Sequence, residues 1–296
     1  MGEGALFARL CLRTHSVARR QRPTRSARRL GTGRAAHRRL GSRRRAFRTG
    51  RQGLCGNIVI CATRALQGLV SGARRLYPNL MRTLFHFPLD PNCRIIRLML
   101  GEKRLDFRSA PPTMATPDAP VMEIPTFEDD NGAQMPYMMV IAEYLDETYP
   151  DPPLIGRDII ERAEARRLTH YFAVDMGGRV TKPILFEKVQ KPMARLGVPD
   201  STAMRTAVQL SSQYLGLIEE LYENRNWIAG GSYSLADIAA VAQISVLDYV
   251  DLIEWDRYPV LRRWYARVKS RRAMEAILAD RIDGVPPPSH YANVDF

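Results

Sequence analysis

The chain has 296 residues and a formal charge of +13, enough for one or two domains and, taken whole, the balance of a nucleic-acid or membrane binder. The charge is unevenly shared: residues 1–80 carry 19 Arg, no Lys and Glu3 as their single acid, a net of +18, which leaves the rest of the chain at −5. A mildly acidic body has little electrostatic reason to hold phosphate, so the basic character belongs to the leader.

Residues 1–80 show no helical or strand period, and so few acids and apolar clusters cannot bury enough surface to offset the entropy of ordering. Three readings stand side by side. The leader is an electrostatic arm for nucleic acid or anionic lipid, or an organelle transit peptide, which is also Arg-rich and acid-poor. The third is upstream sequence read in frame, with Met81 the first working residue; Arg without Lys matches the codon bias of GC-rich DNA and favours this one. No stretch reaches about 18 uninterrupted apolar residues, since the best, "GLCGNIVICATRALQGLV", is broken by Asn57, Arg64 and Gln67. Cys11, Cys55 and Cys61 lie in the leader and Cys93 alone in the body. That excludes a disulfide framework or thiolate metal site in the body, and it fits a reducing cytoplasm.

From residue 81 the elements follow in order. "RTLFHF" (82–87) reads as a short buried strand. "DPNCRIIRLMLGEK" then opens a helix, with Asp90 as N-cap, Pro91 at N1 and Ile95, Ile96, Leu98 and Met99 on the buried face. Residues 105–120 hold a weak second strand and a polar, Pro-rich connection with room for a helix. "VMEIPTFEDDNGAQM" is strand, turn, strand around Asp130-Asn131-Gly132, and "YMMVIAEYLDETYP" is an amphipathic helix stopped before Pro150. The pattern β-α-β-(α)-β-β-α describes a small mixed α/β domain over 81–149.

Residues 150–157 read as a linker, and 158–280 as an all-helical domain with i, i+3, i+4 apolar spacing throughout. Ser234 and Asp237 form a structural capping box, with Tyr233 and Ile238 placed for a hydrophobic staple. Residues 281–296 form an extended tail, because Pro286-Pro287-Pro288 cannot be helical. That tail carries His290, Tyr291 and Phe296, so a disordered end and a docked or partner-binding end both stay open.

These segments resemble the glutathione S-transferase family: "FHFPLDPNCRIIRLML", "EIP" with Pro125 at the cis-proline position, "IAEYLDETYPDPPLI", "SLADIA" and "YPVLRRWYARV". The resemblance implies a thioredoxin-like domain followed by an all-helical glutathione-transferase-type domain. It also implies a catalytic Tyr, Ser or Cys after the first strand, a Glu-Ser pair opening the last helix of the first domain, and a cis-proline that pairs with glutathione. Here the first position offers Asp90, with Cys93 three residues on, and the second offers Tyr137-Met138. A carboxylate beside a thiol opposes thiolate formation, so Asp90 reads as a helix cap and Cys93 as a packed thiol. Met138 has neither donor nor charge for a carboxylate, and Tyr137 cannot replace Glu against an ammonium group. Ile124 and Pro125 keep the third feature, so glutathione is disfavoured as a ligand and no other cofactor is implied.

The opening "MRTLFHFPLDP" and the ending "DRIDGVPPPSHYANVDF" are similar to the FtsZ-localised protein A group within that family. This likeness implies a non-catalytic cytoplasmic homodimer at the division site that binds FtsZ. Candidate contacts are Lys182, Lys188, Lys191 and Arg195, with Tyr291, Asp295 and Phe296 as a docking peptide for a second division partner. Two other classes stay open. One is a transferase-like enzyme using His86, Tyr137, His170 or Tyr171. The other is an RNA polymerase or nucleic-acid binder acting through the leader.

Overall fold

The computed structural model describes residues 81–113 and 121–294. The leader, Asp295 and Phe296 therefore lie outside the described residues.

The first half is a four-stranded sheet with helices packed on it. Its strands are β1 (Thr83–Phe85), β2 (Arg108–Ala110), β3 (Thr126–Glu128) and β4 (Gln134–Pro136), in the order β2-β1-β3-β4. β1 runs parallel to β2 and antiparallel to β3, with Leu84 opposite Phe127. Both of those side chains are fully buried. Strand β1 is shorter than its aromatic run suggested, because Pro88 and the turn behind it end the ladder. No helix forms between β2 and β3 among the described residues, where Pro111 and Pro112 remove consecutive donors.

Helix α1 (Pro91–Glu102) starts as its sequence dictates: the Asp90 carboxylate accepts from the Cys93 amide at 2.9 Å and Pro91 stands at N1. Its apolar face packs with that of α2 (Met138–Thr148) through Ile95, Leu98, Met99, Ile141 and Leu145, all fully buried. Where these helices end, the buried Lys103 ammonium pairs with Asp146 at 2.9 Å and donates to the Tyr149 and Pro152 carbonyls. The same Asp146 accepts from the amides of Leu154 and Ile155, so the connection to the helical half is hydrogen-bonded to the end of the sheet domain.

The helical half opens with α3 (Ile159–His170), capped by Asp158. The chain then widens into π-helical turns over Tyr171–Thr181 and Phe186–Gln190, separated by α4 (Lys182–Leu185) and followed by α5 (Lys191–Met193). Apolar periodicity gave no sign of this. Pro183 and Pro192 lack the amides that regular turns require, and a Cβ on Gly177 would sit 3.3 Å from the Gln243 amide. Helix α6 (Ser201–Asn224) packs with α8 (Pro259–Lys269), and α7 (Leu235–Tyr249), every residue of which is buried, packs against α1, α3 and the turns over Tyr171–Thr181. The short α9 (Glu275–Leu278) precedes the tail.

The capping box that starts α7 forms as its spacing requires. Asp237 accepts from the amides of Ile228 and Ser234, from the Ser234 hydroxyl and from the Trp264 indole. Burial pushes its carboxyl up to about 6, so at neutral pH it is ionised and holds three segments together. Asp237→Ala strands two buried amides and an indole, and is expected to destabilise the fold by about 3 kcal/mol in urea unfolding. A loss below about 1 kcal/mol would show that the box is dispensable.

Candidate functional site

A cavity of about 360 Å³ lies between the β1–α1 turn, the end of β2, the segment leading into α5 and the start of the tail. Phe87, Leu89, Val189, Met193 and Ile282 supply apolar walls, and His86, Arg97 and Asp280 the polar ones. Its floor is held by one carboxylate. Asp280 takes a bidentate pair from Arg97 at 2.8 Å on each oxygen, and Arg94 adds a third contact at 3.0 Å. Arg94 is fully buried, donating also to Ser245 and to the Pro88 carbonyl. Both arginines leave the apolar run of α1, where charges among buried isoleucines were the available signal that a partner must exist.

His86 lies 3.1 Å from the Ser109 hydroxyl, and burial together with the nearby Arg97 charge lowers its imidazole to about 4. It is neutral at physiological pH. Its companions in the cleft reading do not join it: Tyr137 and His170 are exposed, and Tyr171 packs on Phe172 and Tyr214. Nothing places those three on the cavity wall.

The thiol position is chemically quiet. Cys93 is fully buried, and its thiol is pushed well up, first by burial and then by the Asp90 carboxylate. Sequence reasoning named the carboxylate as the opposing force; enclosure in the core is the larger one. The Ile124–Pro125 peptide bond is cis, and the Tyr137 amide donates to the Pro125 carbonyl at 3.2 Å. Tyr137 precedes α2 at φ 71° with its ring largely in solvent, whereas Met138 is buried. Tyr137-Met138 thus presents no side-chain carboxylate or hydroxyl cap at the head of α2.

The basic candidates part company. Lys188 donates to the Val250 carbonyl at 2.7 Å and Lys191 pairs with Glu187 at 2.9 Å, while Lys182 and Arg195 are exposed. The tail is docked along its described length, which runs to Val294. Tyr291 is wholly buried, edge-on to Tyr249 at 5.1 Å, and its hydroxyl donates to the Ile277 carbonyl. His290 meets the buried Asp248 at 3.0 Å, and Lys269 donates to the carbonyls of His290 and Asn293. Tyr291 is therefore an anchor inside the fold, and its ring is not exposed. Among the described residues no helix is long and apolar enough to cross a membrane, and no group of three His, Cys, Asp or Glu side chains could hold a metal ion.

Comparison with known proteins agrees with this geometry. The profile of the glutathione S-transferase N-terminal domain matches residues 84–153, and that of the C-terminal domain matches 188–272. FtsZ-localized protein A of Caulobacter vibrioides is 40% identical over 231 residues, covering 73% of this chain and 98% of that protein. The solved structure of FzlA from C. crescentus superposes with a TM-score of 0.68 at 38% identity, over 73% of this chain and all of the other. A glutathione S-transferase from Rhodospirillum rubrum F11 gives 0.69 at 35% identity with the same coverage.

Ending the chain after Val285 removes the Tyr291 ring and both lysine-bonded carbonyls, and should cost about 3 kcal/mol or more in denaturant unfolding. Stability equal to that of the full chain would mean that the tail is not part of the fold.

Proposed function

Because the chain belongs to the glutathione S-transferase family, we propose that it is a non-catalytic, homodimeric member that binds FtsZ filaments at the division site and helps regulate constriction. The observation that carries this reading is the 40% identity to FtsZ-localized protein A, which extends over 98% of that protein. A shared site alone would not produce a match that runs from end to end.

The chemistry of the site supports the same reading. A thiol-activating site needs a donor or cation aimed at sulfur, and the head of α1 offers a carboxylate already bonded to the Cys93 amide. The pair Tyr137-Met138 has no group to hold the charged amino-acid end of glutathione. Dimerisation has its own support. Tyr137 before α2, Val140 on α2 and Val174 in the π-helical turns after α3 are exposed apolar side chains, and α2 and α3 are joined by the Arg166–Glu143 pair. Two copies would present two filament contacts at once, so that weak contacts add as avidity. A second division partner would meet the end of the tail, at Asp295 and Phe296.

One observation favours a second reading, a transferase-like enzyme acting on small electrophiles: an apolar cavity with polar groups at one end is the usual form of a small-molecule site. Co-sedimentation of the full chain with GTP-assembled FtsZ separates the two. The division reading expects the protein in the pellet at micromolar concentration, and only when FtsZ is polymerised. Its absence from the pellet would leave the cleft enzyme in front.

A further inference from the structure

Residues 179–205 hold six basic side chains against Glu187 and Asp200, a net of +4 in a body whose total is −5. Both acids face inward or cap a helix. One Glu187 oxygen accepts from Lys191 at 2.9 Å and from the Asp200 amide at 2.6 Å, while the Asp200 side chain caps α6 by accepting from Thr202 and Ala203. Outward lie the charges of Lys182, Arg195 and Arg205 against that of Asp200, which is exposed as well, so the surface keeps a positive surplus.

Between Lys191 and Asp200 the chain makes a closed loop. The Glu187 carboxylate ties its two ends, the Leu196 amide donates to the Lys191 carbonyl at 3.0 Å, and the Arg195 amide to Pro192 at 3.0 Å. Arg195 and Gly197 take left-handed backbone angles, φ 55° and 105°, and so turn the loop outward. At its tip stand Leu196, 45% exposed, and Val198, 83% exposed. A tethered loop that shows two apolar side chains beside a cation pays little ordering cost on binding.

We propose that this loop is the docking surface for an acidic protein segment that carries an exposed apolar side chain. Leu196 and Val198 make the apolar contact, and Arg195, supported by Arg205 and Lys182, makes the charged one. The charge of the patch, opposite to that of the body around it, selects an acidic partner and repels a second copy of the same patch. Two short apolar side chains bury too little area to anchor a membrane. Resting on the reading above, the segment belongs to the FtsZ filament, and Lys188 and Lys191, engaged within the chain, are not part of the contact.

The test is pelleting of the full chain with polymerised FtsZ, comparing wild type with Arg195→Glu, Val198→Ser and the remote charge control Arg263→Glu. Circular-dichroism melting and anionic phospholipid vesicles are run alongside. Arg195→Glu and Val198→Ser should each bind about tenfold more weakly with unchanged melting, and Arg263→Glu should match wild type. If wild type pellets and both loop variants pellet equally well, the loop is not the contact although the division reading stands. A loss in Arg263→Glu as large as in Arg195→Glu would also overturn the loop, since net charge alone would explain it, as would binding to vesicles with none to filaments. If wild type itself stays in solution, the division reading falls and the loop proposal with it.

Discussion

The tightest polar knot at the junction of the two halves is built on a single carboxylate. Asp280, just beyond α9, receives both guanidinium groups of Arg94 and Arg97 from α1, so the first helix of the sheet domain is bolted to the end of the helical one. Arg94 is fully buried, and a buried cation is tolerable only when its donors are satisfied; it reaches Asp280, Ser245 and the Pro88 carbonyl. Removing one partner of such a cluster strands the others, at a cost of about 3–5 kcal/mol. A second tie runs beside it, where Arg271 forks onto Glu102 at 2.6 and 2.7 Å. With both in place the first helix of the sheet domain is tied to the helical half at two points.

That constraint also shapes what the site can do. Arg94 and Arg97 already share the Asp280 carboxylate, two cations on one anion, and the His86 imidazole at the wall is held neutral by burial and by the Arg97 charge. The thiol nearest the family's reactive position is buried in the core behind a helix cap. The polar groups of the junction serve cohesion, in keeping with the proposal that the surface carries function. The outer surface is where the chain is distinctive, in a positive patch on an acidic body and in a tail folded down as far as Tyr291.

How much could be read from the sequence depends on the range of each interaction. The Asp90 cap and the Ser234–Asp237 box are contacts over three residues, so type and spacing were sufficient. The thioredoxin-like and helical halves were legible from periodicity and from a few motifs. The joint was not, because Arg97 and Asp280 are 183 residues apart and nothing local marks them as partners. The π-helical turns escaped because their cause, missing proline amides and the close approach of Gly177 to Gln243, depends partly on a neighbouring helix. Whether Tyr291 docks stayed open because its pocket, made by Tyr249 and Ile277, comes from elements earlier in the chain. Cys93 shows the same limit: it was legible as a packed thiol beside Asp90, but not that burial would outweigh its neighbour's charge.

We propose that this glutathione-transferase fold keeps its architecture without a thiol site. Titration calorimetry of the full chain with glutathione tests it most directly. No saturable heat is expected at millimolar glutathione, because neither Tyr137-Met138 nor the head of α1 supplies the charges that hold the tripeptide. Saturable one-to-one binding would contradict the claim and return the cavity to the role of an active site.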